Sequence, residues 1–378
     1  MKNPVVLGLS CLILSITLSL GAPAVAEESM SPPAAETRYG CPYPEARQFD
    51  FWIGDWNVVN RTLQEDGSWV VTGSATDRVY SILDGCAIVE HWRGSAFNDK
   101  VIGFSVRAYD PETEQWILVL SWPEKDSPKL STLKGQFRHG RGEFFFSFPK
   151  ADGGKVISRY SFSDSQADSM RWDAATSEDE GRSWLTNWIM EFSRRDPRTD
   201  LPLFNGPWVA DGRPRHCGGV AEVAQLDYLF GAWQGTERRL EDDGTWTETP
   251  VRVTTMPILE GCAMVDFFEH VGDGPRFKRF ALRSWMTGRK QWGQFELDNT
   301  NPKPRAVLGV QEGDAVVLTT PGDAAVRHRV TFTKTVGGVR REDAISEIGG
   351  TGWRTVQVLE LTPTYYDQDE PPAAATEE

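Results

Sequence analysis

The chain has 378 residues, with 54 acidic against 40 basic side chains and a formal net charge of −14. That acidity disfavours nucleic acid and anionic membrane surfaces as partners and otherwise serves solubility. The length suits two ordinary domains, and beyond the N-terminus no stretch is apolar enough for a membrane span.

Residues 1–26 read as a signal peptide: Lys2 gives a basic start, Val5 to Leu20 is apolar, and Ala24-Val25-Ala26 fits a cleavage site. The apolar run is short for a spanning helix and polar, Pro-rich sequence follows it. The expectation is an exported protein, periplasmic or extracellular, with Cys11 removed and residues 27–40 as a flexible lead.

The stretch from Cys41 to Trp56 is then written twice. Its second copy starts at Cys217, and Gly54 and Trp56 map to Gly231 and Trp233. Asp66-Gly67-Ser68-Trp69 matches Asp243-Gly244-Thr245-Trp246, and Ile82-Leu83-Asp84-Gly85-Cys86 matches Ile258-Leu259-Glu260-Gly261-Cys262. Arg107 matches Arg283, Gln115-Trp116 matches Gln291-Trp292, Arg171 matches Arg340 and Glu191 matches Glu360. This is domain duplication: a first unit at 41–195, a linker at 196–215 with four Pro and two Gly, and a second unit at 216–364. Residues 365–378 read as a disordered acidic tail.

Four cysteines allow three pairings. Cys41 to Cys86 and Cys217 to Cys262 are both 45 residues apart, and two copies with equal spacing favour those two disulfides. An oxidising compartment would keep them, and each closed loop stabilises its unit by roughly 4 kcal/mol in the chain-entropy model.

Within a unit, short runs rich in Val, Ile, Phe, Trp and Thr alternate with turn signals such as Asp66-Gly67 and Asp152-Gly153-Gly154. About ten strands per unit with hairpin-length connections predict an all-β protein of two up-and-down antiparallel β-barrels, with a two-sheet sandwich as the alternative. Pro44 to Ile53 reads as a short helical lid. The last strand, Trp184 to Phe192, is expected to carry Trp184, Thr186, Trp188, Met190 and Phe192 on one face, and Asn187 and Glu191 on the other.

Gly54-x-Trp56 after an apolar lead resembles the first-strand signature of the calycin superfamily, which includes lipocalins, fatty-acid-binding proteins and nitrobindin-like haem proteins. The string Arg47-Gln48-Phe49-Asp50-Phe51-Trp52-Ile53-Gly54-Asp55-Trp56, with Leu83-Asp84-Gly85-Cys86, more specifically resembles a family of exported bacterial proteins of unknown function with lipocalin-like barrels. The resemblance covers the first unit well and the second more loosely. It implies a small-molecule-binding barrel and brings no agreed activity. It also implies an Arg from a late strand lying across the Trp ring, for which Arg171 and Arg340 are the candidates.

Arg107 and Arg283 sit among apolar neighbours. If that face points inward, their planar forks suit a ligand carboxylate or phosphate. Trp116 and Trp292 are further ligand-binding candidates, with packing as their alternative role. Two acid pairs, Glu90 with Asp266 and Glu191 with Glu360, are candidates for a general acid or base. The histidines His91, His139, His216, His270 and His328 fall at unmatched positions, so no metal or haem site per unit, and no cofactor, is expected. The leading expectation is a carrier of a small apolar or amphipathic molecule. The alternatives are an isomerase, cyclase or hydratase on the same scaffold, and an envelope interaction module with solid barrels.

Overall fold

The structure, a computed structural model, describes residues 40–124, 127–150, 153–195, 220–272, 277–322, 324–347 and 352–364. The signal peptide, all of the lead but Gly40, the linker, Cys217 and the tail lie outside the described residues.

The first unit carries β1 (Gly54–Leu63), β2 (Trp69–Ile82), β3 (Ala87–Ala96), β4 (Asp99–Asp110) and β5 (Gln115–Glu124). It continues with β6 (Ser127–Arg138), β7 (Arg141–Pro149), β8 (Lys155–Ser163), β9 (Ser169–Ser177) and β10 (Leu185–Arg194). Each strand pairs antiparallel with its sequence neighbours, and β1 pairs with both β2 and β10 to close a barrel. The second unit repeats this with β11 (Gly231–Leu240), β12 (Trp246–Ile258), β13 (Ala263–His270), β14 (Lys278–Met286) and β15 (Gln291–Asp298). β16 (Arg305–Glu312), β17 (Ala315–Thr319), β18 (Val326–Thr335), β19 (Gly338–Glu347) and β20 (Arg354–Pro363) complete it. β11 pairs with β12 and β20. Two closed ten-stranded barrels, not a sandwich, therefore satisfy the strand pattern, and closure leaves no sheet edge unpaired.

The repeated turns explain themselves locally. In the β1–β2 hairpin the Ser68 amide donates to Asp66 Oδ1 at 2.9 Å, and in the β11–β12 hairpin the Thr245 amide donates to Asp243 Oδ1 at 2.9 Å. Gly67 and Gly244 take the positive φ between them, +82° and +84°.

Gly54 and Trp56 form the closed end of the first barrel. Trp56 is fully buried, and its Nε1 donates to the carbonyl of Trp52 at 2.7 Å. Trp233 donates to the carbonyl of Leu229 at the same distance. The cation over Trp56 is Arg194, 3.8 Å from the ring centroid, and it also donates to the carbonyls of Ile53 and Phe51. This corrects the expectation for Arg171. Arg194 sits directly opposite Trp56 on the neighbouring strand, whereas Arg171 is paired with the outward-facing Glu191. Arg340 likewise stays outside, bonded to Glu342 and Glu360. Gly54 has φ +132°, and a Cβ there would meet the Arg194 guanidinium at 2.2 Å. The Gly of the motif thus leaves room for the brace of the Trp.

Two 3-10 turns, Pro44–Arg47 and Asp50–Trp52, cap this end, and Cys41 is disulfide-bonded to Cys86. Cys262 is also disulfide-bonded, and its expected partner Cys217 lies outside the described residues. Phe49 plugs the barrel, edge-on to Trp116 at 4.8 Å and to Phe162 at 5.1 Å.

The outer face of β4, with Ile102, Phe104, Val106 and Ala108, shares one hydrophobic cluster with Phe280 and Leu282 of β14. Phe104 and Phe280, equivalent residues of the two units, stack with centroids 6.4 Å apart. The flanking ion pairs are reciprocal. Asp84 accepts from Lys278 and Asn299 of the second unit, while Glu260 accepts from Arg93 and Lys100 of the first. Both acids stand in left-handed turns, with φ +54° and +55°. Backbone strain of this kind persists where its surroundings hold it in place, and here it aims each carboxylate at the other barrel. β4 is therefore buried on both faces, which a barrel standing alone would not require.

Candidate functional site

The two interiors differ. Among the described residues the first barrel holds a cavity of about 820 Å3, while a pocket inside the second encloses about 20 Å3, room for about one water.

Strand register allows the interiors to be compared position by position. Trp56 lies opposite Asp77 and Trp233 opposite Val253, so those partners are equivalent. Following the ladders round the barrels aligns Gly103 with Arg279, Leu120 with Glu296, Trp172 with Arg341, Ala174 with Asp343 and Trp188 with Gln357. Small, aliphatic or aromatic residues in the first barrel thus face long polar or charged ones in the second. Arg341 Nη2 donates to Glu296 at 2.7 Å and its Nε to Asp343 at 2.8 Å, and Arg305 reaches both acids. Burial alone would raise the Glu296 carboxyl, but Arg341, Arg305 and Arg279 outweigh it and hold it well below the usual carboxylate range. The interior of the second barrel is a salt-bridge network.

The expected ligand residues of the second barrel belong to that packing. Arg283 is fully buried, donates to Asp266 at 2.5 Å and to Gln294, and lies 4.4 Å from the Phe332 centroid. Trp292 is fully buried and donates to Gln225 at 2.9 Å. Trp116 is its counterpart in the first barrel, fully buried and donating to Gln48 at 2.9 Å. Both Trp residues support the plugged end; Trp116 is not among the residues lining the 820 Å3 cavity, nor Trp292 among those lining the 20 Å3 pocket. The repeated Gln48 and Gln225, each eight residues before its barrel-entry Trp, are legible in the sequence as equivalent partners.

In the first barrel, Glu90 and Arg107 do face inward and meet. Glu90 on β3 lies opposite Ser105 on β4, with Arg107 one inward position further along. Arg107 Nη2 donates to Glu90 Oε2 at 2.9 Å and to Ser105 Oγ at 3.1 Å, and Ser105 Oγ donates to the same Glu90 oxygen at 2.5 Å. The guanidinium carbon lies 3.7 Å from the Trp52 ring centroid and 5.0 Å from those of Phe49 and Phe162. Arg107 Nε and Nη1 are buried without hydrogen-bond partners, and the cation–π contacts with the three rings offset part of that cost. Burial lowers the Arg107 pKa to about 10 against the opposing fields of Glu90 and Asp77.

Asp77, on the inward face of β2, completes the cluster. Neither of its carboxylate oxygens has a hydrogen-bond partner. Burial first, and then repulsion from Glu90, push its carboxyl well above the usual range despite Arg107. The signal for Asp77 was available, since Ala75-x-Asp77-x-Val79 places it on an apolar face. The comparison of repeats hid it, because the second unit has Val253 there.

Above this floor the cavity wall is aromatic. Tyr160 and Trp172 meet at 4.8 Å, Trp172 and Trp188 at 4.9 Å, and Trp188 and Phe97 at 4.9 Å near the mouth. Trp92, Leu118 and Phe192 line it further. Trp188 faces inward with Met190 and Phe192, and a bulge lies just before it: Thr186 pairs with Ala175 but Trp188 pairs with Ala174, leaving Asn187 extra. The unbroken alternation expected from Trp184 to Phe192 is therefore interrupted, and Trp184 instead stands outside the strand against Arg159.

Glu191, the other acid candidate, is exposed and bonded to Arg61 at 2.8 Å, and its counterpart Glu360 is paired with Arg340. Neither serves an interior site. His91 points away from Glu90, packing between Tyr80 and Phe104.

No protein-family model matches the chain, and no curated protein matches it by sequence. Two solved structures align with it weakly. An S-type phycobiliprotein lyase from Guillardia theta aligns with 14% identity and a TM-score of 0.27, covering 41% of this chain and 99% of its own. A protein of unknown function from the DUF3598 family of Nostoc punctiforme aligns with 9% identity and a TM-score of 0.24, covering 85% of this chain and 100% of its own. At these scores neither likeness bears on what this chain binds.

Proposed function

We propose that the protein is an exported carrier that binds one small, largely apolar molecule in its first barrel, with the second barrel as a structural brace. The observation that carries this reading is the contrast between the two interiors. A cavity of about 820 Å3 falls within the roughly 300–1,000 Å3 typical of small-molecule sites. Its wall is predominantly aromatic, with a few polar groups converging at one end, as such sites are built. The second barrel has the same frame with its space filled by paired charges, and it covers the outer face of β4.

Stoichiometry tests this reading. Titrating the full chain with the neutral fluorescent probe N-phenyl-1-naphthylamine should show saturable binding at one probe per chain, with energy transfer from tryptophan. Two equivalents per chain, or none, would refute the assignment of one hollow and one solid barrel.

A further inference from the structure

The cavity floor discriminates among ligand head groups, and it does so against the simplest reading of its arginine. An inward Arg invites a carboxylate or phosphate. In this barrel the guanidinium is already committed. Nη2 is bonded to Glu90 and Ser105, while Nε and Nη1 are buried and the guanidinium carbon lies 3.7 Å from the Trp52 ring centroid, with Phe49 and Phe162 close by. An anion would have to displace Glu90 or the aromatic floor to reach a donor. Glu90 is placed differently. Its bonds from Ser105 and Arg107 both fall on Oε2, its side chain keeps 11% exposure, and it lines the cavity. Oε1 is thus a charged acceptor left facing the cavity beside the committed Arg107, while the other lining acid, Asp99, begins β4.

Resting on the reading of the first barrel as the binding site, we propose that the ligand is an aromatic or other flat apolar body ending in a hydrogen-bond donor. A hydroxyl or N–H group would be held by Glu90 Oε1, and carboxylates would be rejected. An anionic end group would meet Glu90 across a low-dielectric cavity whose lining cations among the described residues, Arg107 and Lys100, are already paired with Glu90 and Glu260. A donor end group forms a charge-assisted hydrogen bond there and leaves the Arg107 network intact. Arg107 is then a positioning residue that fixes the Glu90 rotamer, with Ser105 as the second clamp.

A matched series of biphenyls tests this, with affinities taken from tryptophan quenching of the full chain near pH 7. 4-Phenylphenol carries the donor, 4-methoxybiphenyl has nearly the same shape without it, and biphenyl-4-carboxylate carries the anion. The phenol is expected to bind about tenfold or more tightly than the ether, and the carboxylate weakest. A cavity that merely collects apolar surface would bind the ether at least as well as the phenol, and that result overturns the proposal. So does tightest binding of the carboxylate, which would show that Arg107 is recruited. Failure of all three probes to bind would instead remove the reading of the first barrel as a binding site. In Glu90→Gln the side-chain oxygen is required by Arg107, which turns the amide NH2 toward the cavity, so the preference for phenol over ether should vanish or invert. Should that variant not fold, the ratio measured on the unaltered protein decides the matter alone.

Discussion

Gly103 and Arg279 occupy the same position of the duplicated barrel, one opposite Trp92 and the other opposite Phe268. Where the chain has Gly the interior is open, and where it has Arg the interior is closed by charge. A Cβ at Gly103 would meet only the Trp92 Cβ, at an ordinary 3.8 Å, so a side chain is sterically tolerated there and points into the cavity. Gly103→Leu should weaken N-phenyl-1-naphthylamine binding about tenfold or more, while the melting temperature stays the same or rises because empty space is filled. Unchanged affinity in a folded variant would place the probe elsewhere.

The two acid candidates of the first unit should behave differently. Glu90→Ala leaves the buried Arg107 without its counter-charge and should cost about 3–5 kcal/mol. Glu191→Ala breaks an exposed pair with Arg61 and should cost less than about 0.5 kcal/mol. Urea unfolding of the two variants gives the comparison directly, and equal costs would contradict the assignment of inner and outer faces.

Arg194 brings the barrel-entry Trp, the Gly before it and the end of β10 to one point. Arg194→Ala removes a cation–π contact of about 1 kcal/mol and hydrogen bonds to the Ile53 and Phe51 carbonyls at about 1 kcal/mol each, a loss of about 2–4 kcal/mol. Arg171→Ala, on the outer face, should remain within about 0.5 kcal/mol. Thermal melts of the pair test which arginine is the brace.

Buried His91 and Asp77 give the stability opposite pH dependences. Burial, with help from Arg78 and Arg93, lowers the His91 pKa from 6.5 to about 4. The folded state therefore binds this proton less readily than the unfolded chain. The His91 contribution is present above pH 6.5 and is lost as the pH falls through about 4, a swing of up to roughly 3 kcal/mol. His91→Gln should flatten the profile in that window. Asp77 is raised above its ordinary 3.8, so its contribution is fully present below that value and is lost as the pH rises toward the folded pKa. Asp77→Asn should be more stable than the unaltered protein near pH 8, with the difference closing toward pH 4. Urea midpoints across that range separate the two groups, and a constant offset for Asp77→Asn would mean that the carboxyl titrates normally.

Local physics made much of the fold legible before any coordinates. Asp-Gly turns, alternating apolar runs and paired cysteines act over a few residues or along one strand, and their recurrence in two copies pointed to two barrels. The inward placement of Glu90 and Arg107 needed the pleat as well, because a strand alone does not say which of its faces lies inside. The bulge at Asn187 shows why: one extra residue moves Thr186 to the face opposite Trp188, Met190 and Phe192 without altering the composition of the strand. The brace eluded the sequence for a related reason, since Arg194 acts through its cross-strand position opposite Trp56 and the second unit offers no matching residue to mark it.

By itself, then, the sequence determined the class of fold, its duplication and the residues that start each barrel, because these depend on period and turn chemistry. Only the tertiary structure decided that the first interior opens into a cavity of about 820 Å3 while paired charges fill much of the second. Filling an interior depends on which side chains from non-adjacent strands converge. Gly103, Leu120, Trp172 and Ala174 against Arg279, Glu296, Arg341 and Asp343 become a cavity and a salt-bridge network only once ten strands have closed around them.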